Sequence, residues 1–87
     1  MNLIGLDIGT TGCKAVVFSE AGEPIGSAYR EYGIDADQGG KAEQDPELVW
    51  DLCVVVLAGA VSAAAARTGR APEVAALGLS VQGDAVI

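Results

Sequence analysis

Six residues near the start of the chain combine the side chains that would bind a phosphate group and its metal ion: Asp7, Gly9, Thr10, Thr11, Gly12 and Lys14. Glycine has no Cβ, so it lets the backbone amides from Gly9 to Gly12 approach a bulky anion, and the threonine hydroxyls are further donors. A carboxylate suits a hydrated Mg²⁺, which prefers oxygen ligands and keeps its waters, and a lysine supplies positive charge. The cluster therefore predicts a phosphate site with Asp7 beside the metal.

The segments on either side of this cluster predict a β-hairpin. An apolar run from Leu3 to Leu6 precedes it, and alternation of side chains resumes from Ala15 to Phe18. An ordinary hairpin is the alternative, in which the glycines serve only the turn and Lys14 is a solvated strand charge. Such a turn needs only about two special residues, so the concentration of acid, glycines, threonines and lysine favours the phosphate site.

A third strand and a loop are expected next. Residues 20–23 form a turn, and the strand that follows runs from Pro24 to Tyr32, which gives three antiparallel strands. Tyr29 and Tyr32 are an odd number of positions apart, so they point to opposite faces, and both are interpreted as packing residues. The stretch from Gly33 to Gln44 has no hydrophobic period and is predicted to be a loop.

The segment after this loop predicts one long helix on the sheet. Asp45 is an N-cap carboxylate, Pro46 occupies the first helical position, and Thr68-Gly69 marks the end. The face expected to cover the sheet has apolar residues every three or four positions: Val49, Leu52, Cys53, Val56, Ala60, Ala63 and Ala64.

Other sides of the same helix are also apolar. The uncharged stretch from Leu52 to Ala66 is shorter than the roughly 20 residues of a bilayer span, so a buried helix is preferred to a membrane helix. Val54, Val55 and Leu57 lie outside the sheet-facing stripe, which predicts a second contact surface on the helix.

A fourth strand follows the helix. The run from Val74 to Ser80 is apolar, as is typical of a strand buried on both faces. A right-handed crossover would pair it parallel to the first strand and bring residues 7–9 and 81–84 to the same sheet edge. The apolar run from Ala85 to Ile87 stops without a turn, which predicts a fragment of a longer chain.

Three stretches carry a family resemblance. The sequence from Asp7 to Lys14 resembles the first phosphate-binding hairpin of the superfamily of sugar kinases, actin and seventy-kilodalton heat-shock ATPases. Ala42 to Trp50, which contains Glu43-Gln44-Asp45-Pro46, resembles the segment that opens the first helix in carbohydrate kinases of the FGGY family, such as xylulokinase and glycerol kinase. Leu77 to Asp84 resembles the strand and sugar-contacting loop that follows, so the resemblance spans essentially the whole chain.

The resemblance implies an α/β, ribonuclease H-like (actin-like ATPase) half-domain over residues 1–87, truncated at its C-terminus. Its elements are three antiparallel strands, a crossover helix and a fourth strand parallel to the first. The implied reaction is transfer of the ATP γ-phosphate, with Mg²⁺, to a hydroxyl of a sugar or polyol, with a ketose such as xylulose favoured. An actin-like or regulatory nucleotide-binding module without kinase activity is the alternative, and the matches at residues 43–46 and 82–84 argue against it.

Site residues follow from the matched positions. Asp7 corresponds to the acidic residue near Mg²⁺. Lys14 corresponds to a basic position that varies among sugar kinases. The other phosphate-contacting positions are Gly9, Thr10, Thr11 and Gly12. Gln82, Gly83 and Asp84 correspond to the substrate loop. Many xylulokinases have methionine and histidine, and glycerol kinases arginine and glutamate, where this chain has Gly83 and Asp84. The catalytic aspartate is expected beyond residue 87, so the fragment is expected to be inactive without the missing C-terminal lobe.

The amino-acid composition limits the kinds of molecule that the chain is expected to bind. The chain of 87 residues has a net charge of -7 and 51% hydrophobic residues, which suits one small globular core. Its acidity argues against nucleic acid and anionic membranes and favours a small ligand. Cys13 and Cys53 lack partners for a zinc site and are expected to be free thiols in a reducing cytoplasm. The first residues, Met1-Asn2-Leu3, lack the basic residues of a signal peptide, so a cytosolic protein is expected. Uncovered apolar surface predicts that the fragment self-associates.

Overall fold

The computed structural model describes residues 1–9, 11–32 and 46–81, with Pro46 described by its backbone alone. The elements in chain order are β1 (Asn2–Ile8), β2 (Gly12–Phe18), β3 (Pro24–Glu31), α1 (Pro46–Thr68) and β4 (Val74–Val81). The predicted loop from Gly33 to Gln44, the N-cap Asp45, Thr10 and the segment from Gln82 to Ile87 lie outside the described residues.

The four strands form one sheet in the order β3-β2-β1-β4. β1 pairs antiparallel with β2, β2 pairs antiparallel with β3, and β4 runs parallel to β1 after the crossover through α1. This confirms the predicted arrangement of three antiparallel strands, a crossover helix and a parallel fourth strand. The parallel pair is in register at its carboxyl end, where Ile8 lies opposite Val81.

The core lies between α1 and one face of the sheet. Because side chains alternate along a strand, every second residue of β1 and β2 points toward the helix. These residues are buried with five residues of α1; the buried strand and helix residues are Ile4, Leu6, Cys13, Ala15, Val17, Val49, Cys53, Val56, Ala60 and Ala64. The predicted sheet-facing stripe is therefore correct at five positions, whereas Leu52 is half-buried and Ala63 is exposed.

The backbone of α1 lies directly against β3. A methyl group built on Gly26 would lie 2.5 Å from the carbonyl oxygen of Ala60 and 2.5 Å from the amide nitrogen of Ala64. Both neighbours are backbone atoms that cannot rotate away, so only glycine allows this approach. The helix ends as predicted, since Gly69 has a φ of 83° and its amide donates a hydrogen bond to the Ala65 carbonyl at 2.8 Å.

β4 is exposed along its whole length, so the prediction of a strand buried on both faces is wrong. The reason is the lateral position of α1, which lies over β2 and β3 and does not reach β4. Leu77 and Leu79 pair with the buried residues Ile4 and Leu6 and point to the same side of the sheet, yet they are 53% and 63% exposed. The apolar sequence of β4 therefore indicates a surface available for contact.

The other sides of α1 are exposed as well. Val54 and Val55, which were predicted to lie on a second contact surface, are exposed, and so is Trp50. Leu57, the third residue of that prediction, is instead half-buried against the core, and a contact made by the exposed side stays a prediction. By length and composition α1 could also cross a membrane. Its sheet-facing side is nevertheless buried in the protein core, where Val56 and Ala60 have no exposed surface, as is typical of a core helix.

Candidate functional site

The hairpin predicted to bind phosphate joins β1 to β2. The Gly9 amide donates a hydrogen bond to the Gly12 carbonyl at 2.9 Å, which leaves Thr10 and Thr11 between them in the sequence. The Thr11 carbonyl accepts a hydrogen bond from the Tyr32 amide at 3.0 Å, and the Thr11 side chain is exposed. The Gly9 amide is thus engaged within the hairpin, whereas the Thr11 side chain, which carries a hydroxyl donor, is exposed to a ligand.

Four polar residues line up beside the hairpin on the side of the sheet away from α1. Asp7 lies opposite Lys14 across β1 and β2, Ser80 lies opposite Asp7 on β4, and Tyr29 lies opposite Lys14 on β3. Residues directly opposite each other share a face, with Cβ atoms about 5 Å apart. All four are exposed, and we call this set, Ser80, Asp7, Lys14 and Tyr29, the polar row.

The polar row suits a metal ion that keeps most of its waters better than one coordinated only by protein side chains. In the described part of the chain no three His, Cys, Asp or Glu side chains converge, so Asp7 does not belong to a complete metal-binding cluster there. Mg²⁺ is commonly held by one or two carboxylates together with waters and substrate phosphates. Asp7, near the carboxyl end of β1, is therefore suited to hold such an ion through its waters. Lys14 lies opposite Asp7 and is suited to neutralise part of the negative charge of a phosphate.

Tyr29 reaches from β3 toward the hairpin. A methyl group built on Gly12 would lie 2.7 Å from the Tyr29 hydroxyl oxygen and 2.6 Å from the Arg30 carbonyl oxygen. Tyr29 is 46% exposed and its ring packs on Gly12, whereas Tyr32 is buried as the sequence predicted. Only the register between β2 and β3 reveals that Tyr29 shares a face with Lys14, and that register was not available from the sequence pattern.

The opposite side of the hairpin is closed by a buried cluster of two thiols and a phenol. Cys13 and Cys53 are free and buried, which confirms that they are unpaired thiols. Burial and the neighbouring Cys53 raise the pKa of Cys13 to about 11, and burial raises the pKa of Tyr32 to about 12, with smaller contributions from Cys13, Cys53 and Asp7. Cys13 and Tyr32 are therefore neutral near pH 7 and pack behind the site, and Cys13 is not a thiolate nucleophile.

The buried Tyr32 hydroxyl has no hydrogen-bond partner among the described residues. A buried unsatisfied polar group costs free energy, so Tyr32→Phe is expected to raise the free energy of unfolding by about 1 kcal/mol. Urea unfolding of the two proteins measures this. Tyr29→Phe, which removes an exposed hydroxyl, is the matched control and should change stability little. A loss of stability in Tyr32→Phe would mean that the hydroxyl has a partner after all.

The sheet order, the crossover helix and the hairpin after β1 define an actin-like ATPase half-domain of the ribonuclease H-like class. Residues 2–87 match the model of the N-terminal domain of the FGGY family of carbohydrate kinases, and the chain therefore belongs to this family. This confirms the resemblance seen in the sequence.

Relatives in this family are kinases with different named substrates. A glycerol kinase from Nostoc sp. is 38% identical over 81 residues, which cover 92% of this chain and 15% of the relative. The solved xyloylose kinase from Brucella ovis superposes with a TM-score of 0.76 at 30% identity, over 94% of this chain and 17% of that one. A gluconate kinase from Lactobacillus acidophilus gives a TM-score of 0.72 at 27% identity, over 93% of this chain and 15% of that one. The chain thus spans only about one sixth of the length of these proteins.

Proposed function

We propose that the chain is the N-terminal part of a carbohydrate kinase that transfers the γ-phosphate of ATP to a hydroxyl of a sugar or polyol. The observation that carries this proposal is the pairing of Asp7 with Lys14 beside the exposed hairpin, in a chain that belongs to a family of carbohydrate kinases. Phosphoryl transfer depends mainly on positioning and charge neutralisation, which are the tasks these two side chains suit.

Each residue of the hairpin has a proposed role toward the phosphates. A hydrated Mg²⁺ beside Asp7 would supply the charge that neutralises the phosphate oxygens. Lys14 contributes a second positive charge from the next strand, and Thr10 and Thr11 offer hydroxyl donors. Gly9 has no side chain, so the phosphates can approach the backbone at that end of the turn. Gly12 is buried beneath the Tyr29 phenol, and its proposed role is to leave room for that ring beside the phosphates.

The sugar is proposed to bind at Gln82, Gly83 and Asp84. An amide and a carboxylate together can donate and accept hydrogen bonds, as a hydroxylated substrate requires. These residues directly follow Val81, which is paired with Ile8 at the end of β1, and this pairing supports a substrate loop that begins next to the phosphate hairpin. We favour a ketose such as xylulose, although the relatives are named for glycerol, xyloylose and gluconate.

The test of this function is a phosphotransfer assay on the longer parent protein with a panel of ketoses and polyols. We expect turnover of ATP that depends on one of these acceptors. The 87-residue chain alone is expected to show none, because the proton acceptor and the adenosine pocket are proposed to lie in the missing lobe. Steady turnover by the pure chain, abolished in Asp7→Ala, would contradict this division, and a parent protein inactive on every acceptor would favour a regulatory nucleotide-binding module.

The parent protein is proposed to work in the cytoplasm, since the buried thiols Cys13 and Cys53 are free and suit a reducing compartment. The 87-residue chain by itself is proposed to self-associate. Leu77 and Leu79 on the edge strand β4 are more than half exposed, and an unpaired apolar edge can pair with another copy.

The net charge of -7 opposes this association at low salt, so we expect it to strengthen as salt screens the repulsion. Sedimentation equilibrium across a salt series measures it, and Leu79→Lys should return the chain to monomer because it places a charge on the edge. A monomer at every concentration and ionic strength would contradict the proposal.

A further inference from the structure

The phosphate hairpin has fewer donors for an anion than its sequence implied. The Gly9 amide is already hydrogen-bonded to the Gly12 carbonyl, and the Thr11 carbonyl is an acceptor held by the Tyr32 amide. Because the Gly9 amide is not available to an anion, hydrogen-bond donors on the neighbouring strands would add to those that remain at the turn.

The neighbouring strands supply charges of both signs. Lys14 offers one ammonium group on the open face, while Asp7 lies opposite it on β1. Glu31 lies opposite Gly12 on β3 and shares the face of Lys14 and Tyr29, since residues two positions apart point to the same side. Two exposed carboxylates beside one lysine repel a bare phosphate, so this face suits a phosphate that carries Mg²⁺ and needs neutral donors.

Tyr29 is the neutral donor at this place. Its hydroxyl oxygen lies within 2.7 Å of the position that a methyl group on Gly12 would occupy, so the phenol extends over the glycine at the start of β2. The side chain is about half exposed and its Cα lies opposite Lys14. Among the described residues, the hydrogen bond recorded for Tyr29 is accepted by its backbone carbonyl from Arg30, and the phenol hydroxyl has no protein partner that would compete with a ligand.

We infer that the Tyr29 hydroxyl is a further phosphate-contacting group, which donates a hydrogen bond to an oxygen of a Mg²⁺-bound phosphate chain next to Lys14. This inference rests on the proposed function, because it extends the same phosphate site to β3. It also accounts for Gly12, because a side chain at this position would displace the phenol from the hairpin.

The test uses the full-length parent protein and inorganic tripolyphosphate with Mg²⁺ as the probe of phosphate contacts. Tyr29→Phe removes only the hydroxyl and keeps the ring, so it should weaken binding of the probe about tenfold, as loss of one hydrogen bond to a charged group does. Adenosine and the sugar should bind to the variant as they do to the unchanged protein. Calorimetric titration measures all three ligands.

Tyr32→Phe is the matched control, because it removes a phenol hydroxyl that is buried on the other side of the sheet. Its affinity for the probe should stay within about twofold of the unchanged protein. Omitting Mg²⁺ should abolish binding of the probe in every variant, because Asp7 and Glu31 then repel it. Equal affinities of Tyr29→Phe and the unchanged protein, or no binding of the probe to the unchanged protein, would overturn the inference.

Failure of the inference and failure of the proposed function give different results. Sugar-dependent turnover by the unchanged protein, with no effect of Tyr29→Phe on the probe, overturns the inference alone. Absence of turnover with every acceptor, together with a tenfold loss of probe binding in Tyr29→Phe, supports the inference and overturns the kinase function.

Discussion

Replacing Asp7 with asparagine in the full-length parent protein is expected to lower kcat about 100- to 1,000-fold, with little change in the KM for the sugar. The carboxylate is proposed to hold hydrated Mg²⁺ beside the phosphates, and positioned charge acts most strongly in the transition state, where losing it costs about 3–4 kcal/mol. Asparagine has nearly the same shape, so the pairing of Asp7 with Lys14 and Ser80 in the sheet should survive. Steady-state kinetics with varied sugar and varied Mg²⁺ measure the effect.

The matched control for this variant is Asp51→Asn, which removes an exposed carboxylate from α1, away from the polar row. Its kcat should equal that of the unchanged protein. Asp7→Asn should in addition require more Mg²⁺ for half-maximal rate, because the metal loses its anionic anchor. A raised KM for the sugar with unchanged kcat would instead assign Asp7 to the substrate and contradict the metal role.

The β1–β2 hairpin and the helix bounds could be predicted from the sequence because their signals are local. The glycine and threonine cluster falls between two short apolar strands, and Pro46 and Gly69 occupy the positions at which the helix begins and ends. The parallel pairing of β4 with β1 also followed, since neighbouring strands joined by a long helical crossover run parallel.

The lateral position of α1 and the face of Tyr29 could not be predicted, because both depend on contacts between distant segments. Periodicity shows which stripe of a helix is buried, but not which two strands lie beneath it. Gly26 on β3, against the backbone at Ala60 and Ala64, holds α1 at the β3 side of the sheet. For that reason β4 is exposed although its sequence is apolar.

Gly26→Ala is therefore expected to lower the free energy of unfolding of the 87-residue chain by about 3 kcal/mol. This value lies at the upper end of the usual cost of adding a methyl group to a packed core. The methyl group would lie 2.5 Å from two backbone atoms of α1, so the helix must shift away from β3 and open the core around Val56 and Ala60. For a domain of this size the change corresponds to a fall in Tm of roughly 12–24 °C. Thermal unfolding followed by circular dichroism at the helix band measures it.

Gly78→Ala on β4 is the matched control, because it adds the same methyl group to a strand glycine whose nearest neighbour would be the Ile4 carbonyl oxygen at 4.0 Å. With no clash, the only effect is the lower conformational freedom of the unfolded chain, so Tm should stay the same or rise by an amount equivalent to about 0.5–1 kcal/mol. If both variants shift Tm equally, α1 is not seated on Gly26. A large fall in Gly26→Ala alone means that this single glycine fixes where the helix lies, and thereby which strand remains uncovered.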